Sequence, residues 1–449
     1  MDEEKNVEKL KELLSLRDFM TFRTEILEEN EVDIAEFIEG LTPEERLLVM
    51  RLLPKDLAVE VFSELPSEVQ EEFMTKISKE EIDHLVREMF VDDLVDLLEE
   101  LPATLVAEIL ERTPTEQRAT INRFLQYRED TAGSIMTAEY TSLKKHLTVK
   151  EAITYLRKNG QNSETLYSCY VVSESRVLQG VITLRTLLLS KDEEKVEDLM
   201  DEHVHNVHTD QDVEDVADLF SKYDFMTLPV VDKEDRLVGI ITVDDIMDVI
   251  LEEDTEDFEK MAGTVPSDKP YLKTPVWELA RNRMGWLVFL MLSGIITGAI
   301  LTTFEEAFLV IPVLITFIPM LTDTGGNSGS QSSTLIIRGI VLNEIEMKDV
   351  LKVFFKEFQV SIMTGAFLSV LTFIRLMLMY PDRPLVVIVV SLSILLTVIM
   401  AKLLGALLPF FAKVIKADPA IMAAPLITTI VDATSLLTYF FLAQLILKI

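Results

Sequence analysis

The chain has a single cysteine, Cys169, among 449 residues, so an internal disulfide is impossible. That fits a reducing cytosol for the part that carries it. There is no phosphate-binding P-loop, no nucleophile triad and no cysteine cluster. ATP-driven pumping and enzyme chemistry lack the residues that would perform them, and an enzyme is not expected. The opening MDEEKNVEKL is acidic and has no apolar core, so no signal peptide is expected there. Basic residues are few: 42 Lys and Arg stand against 76 Asp and Glu, a net charge of −34. A surface of that sign repels phosphate, which excludes nucleic acid as a partner.

The acid is unevenly placed. From Tyr271 onward 13 Lys and Arg face 11 Asp and Glu, a balance of +2, so the first 270 residues carry −36. Dense carboxylates suit hard ions such as Mg2+ and Ca2+. Plain solubility is the alternative reading. The pattern predicts a multidomain chain. An all-α helical superhelix occupies 1–130 and an α/β repeat 131–250. A connector helix and linker follow at 251–275, then a five-helix α transmembrane domain at 276–449.

In the first region apolar residues recur at three- and four-residue spacing. Leu53-Pro54, Leu65-Pro66, Leu101-Pro102 and Thr113-Pro114 divide one helix from the next. DLAVEVFSELP at 56–66 resembles DLVDLLEELP at 93–102, as stacked helical hairpins would. The second region repeats at an offset of 64 residues, Met136 matching Met200 and Thr148 matching Asp212. Each half reads helix, strand, turn, strand, helix. Gly180 and Gly239 are expected at tight turns before the second strand. His203, His205 and His208 have spacing that suits Zn2+ or Ni2+. They also fall where the second half needs its first strand, whose alternate residues share a face.

Five apolar segments follow, near 286–303, 308–337, 358–380, 385–411 and 421–447. A span needs about 20 apolar residues. Lys273, Arg281 and Arg283 precede the first segment, while Arg338, Lys348, Lys352 and Lys356 separate the second from the third. Lys413 and Lys416 precede the fifth. Positive loops stay inside, which places the N-terminus in the cytosol and the C-terminus outside a cell membrane. Five spans are few for a pore, so a homodimer with the path on its two-fold axis is expected.

Asp432 lies inside the fifth apolar segment. A bare charge at mid-bilayer costs about 3 kcal/mol on insertion scales, so such a residue usually faces a pathway or a partner. Thr428, Asp432 and Ser435 share one helical face. An ion pair with Lys402 is the alternative. Pro425 is expected to free the carbonyl of Ile421, and Asp418 to cap the start of that helix. The second segment holds DTGGNSGSQSST at 323–334, where Asn327 and Gln331 put two amides on one face. Small-residue helix packing is the alternative for this run. Mg2+ dehydrates reluctantly and favours one or two carboxylates with several waters, which suits one acid per subunit.

GGNSGSQ at 325–331 and DPAIMAAPLITTIVD at 418–432 resemble the MgtE family of magnesium channels. The proline-punctuated helical region, the repeat read as paired CBS modules and the acidic connector are similar to that family in order. The resemblance covers essentially the whole chain. It implies a homodimeric Mg2+-selective channel of five spans per subunit, gated by cytosolic Mg2+. Asp432 would then be the pore carboxylate and Thr428 would offer its backbone carbonyl. Gly325, Asn327 and Gln331 would line the same path.

The gate the resemblance implies rests on acids that Mg2+ would bridge. Candidates are Asp92, Asp93 and Asp96 in the helical region; Asp224, Asp244, Asp245 and Asp248 in the second CBS module; and Glu256, Asp257 and Glu259 on the connector. CBS pairs often bind adenine nucleotides through Thr-x-x-Asp, which Thr242 and Asp245 fit; ATP is therefore an expected regulatory ligand. Two other readings stay open: a broader carrier of Co2+, Mn2+ and Ni2+, and a non-conducting CBS-regulated membrane receptor.

Overall fold

The computed structural model describes residues 2–267, 269, 271–422 and 424–448. Two compact units emerge, one through residue 250 and one from residue 251. The first opens with ten short helices, from Asp2–Ser15 to Thr115–Phe124. Pro54, Pro66, Pro102 and Pro114 each occupy the N-cap of the helix that follows. A proline there ends one helix and starts the next, since it cannot continue a helix but does fit its start. Phe22, Phe62, Leu94 and Phe124 build a core that runs on through Ala132 and Met136 into Val230 and Ile246 of the second half of the α/β repeat.

Each half of the α/β repeat contributes a three-stranded sheet, its first strand parallel and its last two antiparallel. Gly180 and Gly239 lie within the strands Leu178–Thr183 and Leu237–Thr242 rather than at turns. Their constraint is a crossing chain. A Cβ on Gly239 would stand 2.6 Å from Met136 Sδ, and one on Gly180 would stand 2.8 Å from Met200 Sδ. Each repeated methionine thus covers the other module's glycine, which ties the two halves together.

The helix Val243–Met261 contributes residues to both units. Gly263 ends it at a φ of +73°, with its N–H on the Lys260 carbonyl, a backbone that favours glycine. Within the second unit, four helices among the described residues are long and apolar enough to cross a membrane. They fall in 276–303, 347–379, 384–414 and 419–447. The expected second span is broken into a short helix, a 3-10 turn at Pro312–Phe317 and the helix Ile318–Val341. That helix has 24 residues, long enough at about 36 Å. Its Gly, Ser, Thr and Asn content keeps it out of the apolar set.

Pro425 is the second residue of Ala424–Leu447, where the missing N–H had no helical partner to lose. The carbonyl of Ile421 is therefore not freed within an α-helix, contrary to expectation. The carbonyl that finds a side-chain donor is that of Met422, which accepts from Ser333 Oγ at 2.8 Å. Asp418 does cap, its Oδ1 accepting from the Ala420 N–H at 2.8 Å.

Candidate cation pathway and carboxylate clusters

In the membrane unit the helix Ile318–Val341 packs antiparallel on Ala424–Leu447 through its glycines. A Cβ on Gly325 would meet Val431, Thr397 and Ser435, and one on Gly326 would meet Thr428 at 3.0 Å. Gly329 sits against Ile427, Val431 and the Ala401 carbonyl. Gly325 is thus buried at a helix seam, while Asn327 and Gln331 stand exposed on the opposite side. Asp432 is half-buried and, among the described residues, makes no hydrogen bond or ion pair. The rival partner Lys402 is buried elsewhere: its Nζ lies 3.4 Å from Ser332 Oγ, and that hydroxyl donates to Glu357 at 2.7 Å. Thr428 Oγ1 donates to its own helix at Pro425, so the hydroxyl is spent locally.

A second carboxylate group lies within the first unit. Burial, then Asp93, Asp245, Glu164 and Glu139, raise the Asp92 pKa well above the carboxylate range. Burial also raises Asp93 against a hydrogen bond from Ser63. Burial followed by Asp245, Asp93 and Asp244 pushes Glu164 up to about 7. Asp245 is pushed by burial to about 6, although Thr242 Oγ1 donates to it at 2.5 Å. Asp92 Oδ1 and Glu164 Oε2 are buried without any partner. Oxygen donors of this number and charge fit a hard divalent ion. No three His, Cys, Asp or Glu among the described residues converge closely enough to grip one directly.

A third group sits at the end of the connector helix. Lys260 Nζ lies 2.5 Å from Glu256 and 2.7 Å from Asp418. Burial opposes its charge, yet these two hydrogen bonds raise its pKa above the lysine range. Burial, then Asp418, push Asp257 up to about 6. Arg338, near the end of the glycine-bearing helix, pairs with Asp254 at 3.2 Å.

The MgtE family, described as a divalent cation transporter, matches residues 318–442. The MgtE intracellular N domain matches 29–130, and CBS domains match 132–192 and 196–252. The Magnesium transporter MgtE of Thermus thermophilus is 40% identical over 451 residues, covering 99% of both chains. The chain belongs to the MgtE family. The Bacillus subtilis MgtE is 39% identical over 72% of this chain and 71% of its own. Among solved structures, the soluble part of a magnesium transporter aligns with a TM-score of 0.53 at 32% identity, covering 56% of this chain and 99% of that one. The cytosolic domain of the Mg2+ channel MgtE in complex with ATP aligns at 0.52 and 37% identity, covering 54% and 99%.

The remaining candidates of this MgtE chain divide. Asp244 and Asp248 act on Glu64, whose pKa rises through burial, then Asp93 and Glu31. Asp96 is exposed, and Asp224 is an exposed left-handed helix cap with a φ of 54°. Glu259 is engaged locally, its Oε2 accepting from the Ser267 N–H at 2.9 Å. His205 lies against the rings of Tyr223 and Phe225, and His203 is fully exposed beside Asp201, so the three histidines do not converge. Sequence reasoning missed Glu64, Glu139 and Glu164. Glu64 carried a signal, since it opens the repeated Glu-Leu-Pro at 64–66; Glu139 and Glu164 lie in loops without one.

Proposed function

We propose that this protein is a Mg2+-selective channel or transporter that mediates magnesium uptake as a homodimer and is closed by intracellular Mg2+. The observation that carries the reading is Asp432, a carboxylate in a membrane helix that makes no hydrogen bond or ion pair among the described residues. The magnesium transporters among its relatives support Mg2+ as the cargo. The reading counts five spans by adding Ile318–Val341 to the four apolar helices. Its length supports this, and its polar side is tolerable at membrane depth only where it lines water or protein. The N-terminus is then cytosolic and the C-terminus outside, with domains at 1–130, 131–250, 251–275 and 276–449.

Along the path, Asp432 faces a hydrated ion, and Asn327 and Gln331 offer amide oxygens to its waters. Two subunits supply two copies of each around the axis. A carboxylate pair of this kind suits a dication that retains its shell.

In the sensor, Asp92, Asp93, Asp244, Asp245, Asp248, Glu64, Glu139 and Glu164 are the residues that would hold Mg2+. Bound Mg2+ supplies the positive charge that these acids lack. Without it Asp92, Asp93, Asp245, Glu64, Glu139 and Glu164, whose pKa values burial raises, are held toward the protonated form. The connector acids Glu256 and Asp257 form a further group, already part-neutralised by Lys260. A relative crystallised with ATP supports a nucleotide site here too, with Thr242 and Asp245 as the ribose-binding pair.

The test is Mg2+ flux into liposomes holding the full chain. Asp432→Ala should abolish it, and undiminished flux would refute the assignment. The description of the family as divalent cation transporters favours a second reading with Co2+, Mn2+ or Ni2+ as cargo. Strong competition by these ions for Mg2+ flux would support it.

A further inference from the structure

The helix Ile318–Val341 has an unusual division of faces. Its exposed polar residues are Asp323, Asn327, Gln331, Thr334 and Arg338. At about 100° per residue these five fall within an arc of about 80°. The opposite side carries the buried Gly325, Gly329, Ser332, Ser333 and Ile336. By contrast Val276–Thr303 leaves Leu287, Phe289, Met291, Ile295 and Ile296 exposed, as lipid requires. A lipid-facing arc ending in a carboxylate would cost several kcal/mol, so the polar arc borders water or protein.

Asp323 is the one acid in that arc, and it belongs to no ion pair or hydrogen bond among the described residues. Arg375, on the helix Val350–Met379, is engaged otherwise: its Nη2 reaches Met320 Sδ at 3.0 Å. Its height can be read from the glycine seam. Gly325 meets Val431 and Ser435, and Gly326, which flanks the polar arc, meets Thr428. The two helices are antiparallel, so Asp323 and Asp432 lie within about one turn, roughly 5 Å, of the same height. Asp432 continues the Thr428 face, on the flank of the seam that borders the arc. Two carboxylates on neighbouring helices thus stand within about one turn of the same height, and neither is paired with a cation among the described residues.

We propose that Asp323 is a second carboxylate of the cation path, which concentrates divalent ions at the approach to Asp432 from the outer end of the helix. This rests on the transport reading above. Asp323 is exposed, so it acts by long-range attraction that salt screens, and it is not the step on which passage depends.

The test measures initial Mg2+ flux in liposomes holding the full chain, as a function of Mg2+ and of ionic strength. Asp323→Asn should raise the KM for Mg2+ by about tenfold at low salt while Vmax stays within about twofold, and the gap should close at high salt. Asp323→Glu should restore the low KM. An unchanged KM and salt dependence in Asp323→Asn would overturn the proposal, as would loss of Vmax at native thermal stability. If Asp323→Asn fails to fold, Asp323→Cys in a Cys169→Ser background replaces it. An anionic thiosulfonate should then lower KM and a cationic one raise it; no reaction with either would overturn the proposal. Absent flux in the unaltered protein, or full flux in Asp432→Ala, would instead sink the transport reading itself.

Discussion

The Lys260 ammonium lies 2.7 Å from the Asp418 carboxylate, so a lysine near the end of the connector helix holds the acid that caps the start of the last membrane segment. Lys260 is a resident cation among Glu256, Asp257 and Asp418. In Lys260→Met, Glu256, Asp257 and Asp418 lose their shared counter-charge. Protease protection of the connector in the full-length protein should fall without Mg2+ and return at saturating Mg2+. Protection equal to that of the unaltered protein in Mg2+-free buffer would show that the lysine holds nothing.

The acid cluster of the first unit should make stability depend on pH with a definite sign. Asp245 and Glu164 have folded pKa values of about 6 and about 7, above their usual range. The folded form therefore binds more protons than the unfolded form between about pH 4 and pH 7, and stability falls as pH rises through that window. In EDTA the thermal midpoint of the full chain should drop by several degrees from pH 5 to pH 8. At pH 8 Mg2+ should restore it, and at pH 5 Mg2+ should do little. A Mg2+ effect of equal size at both pH values would count against carboxylate sensing.

A Cβ added to Gly405 would land on the Gly329 carbonyl, which marks a close approach of the helices Ile318–Val341 and Pro384–Val414. Gly405→Ala forces backbone apart and should cost about 1–3 kcal/mol. Gly298→Ala adds a methyl where nothing lies within 4 Å and should be neutral or slightly stabilising. Melting in detergent, followed by tryptophan emission or by loss of the monodisperse species, separates the two. Equal midpoints would mean the seam is looser than described.

Lys402 is joined to Glu357 through Ser332 and not to Asp432. Lys402→Met and Glu357→Gln should therefore couple in a double-mutant cycle on stability, by about 0.5–3 kcal/mol. Lys402→Met and Asp432→Asn should be additive within about 0.5 kcal/mol. The reverse pattern would return Lys402 to the pore acid as its counter-ion.

The parts of this molecule that could be read in the sequence are those that one residue or one local repeat announces. A lone Asp432 in an apolar run is conspicuous because the bilayer penalises charge, and Leu-Pro pairs mark helix junctions because proline cannot extend a helix. Paired strands and the match of Met136 with Met200 gave the α/β repeat. The role of Gly180 and Gly239 was not legible, since their neighbours Met200 and Met136 arrive from other parts of the chain. Glu139 and Glu164 were missed for the same reason, being acids in loops that only folding brings to Asp92 and Asp245. Polarity of the helix Ile318–Val341 was visible, but which side it faced was not. Burial of Gly325 and exposure of Asn327 come from packing against Ala424–Leu447.

One comparison bears most directly on all of this: Mg2+ entry into liposomes carrying the unaltered protein and Asp432→Ala, matched for protein content and melting temperature. Rapid entry with the former and none with the latter is expected. Equal entry through both would mean that the ion does not pass this carboxylate.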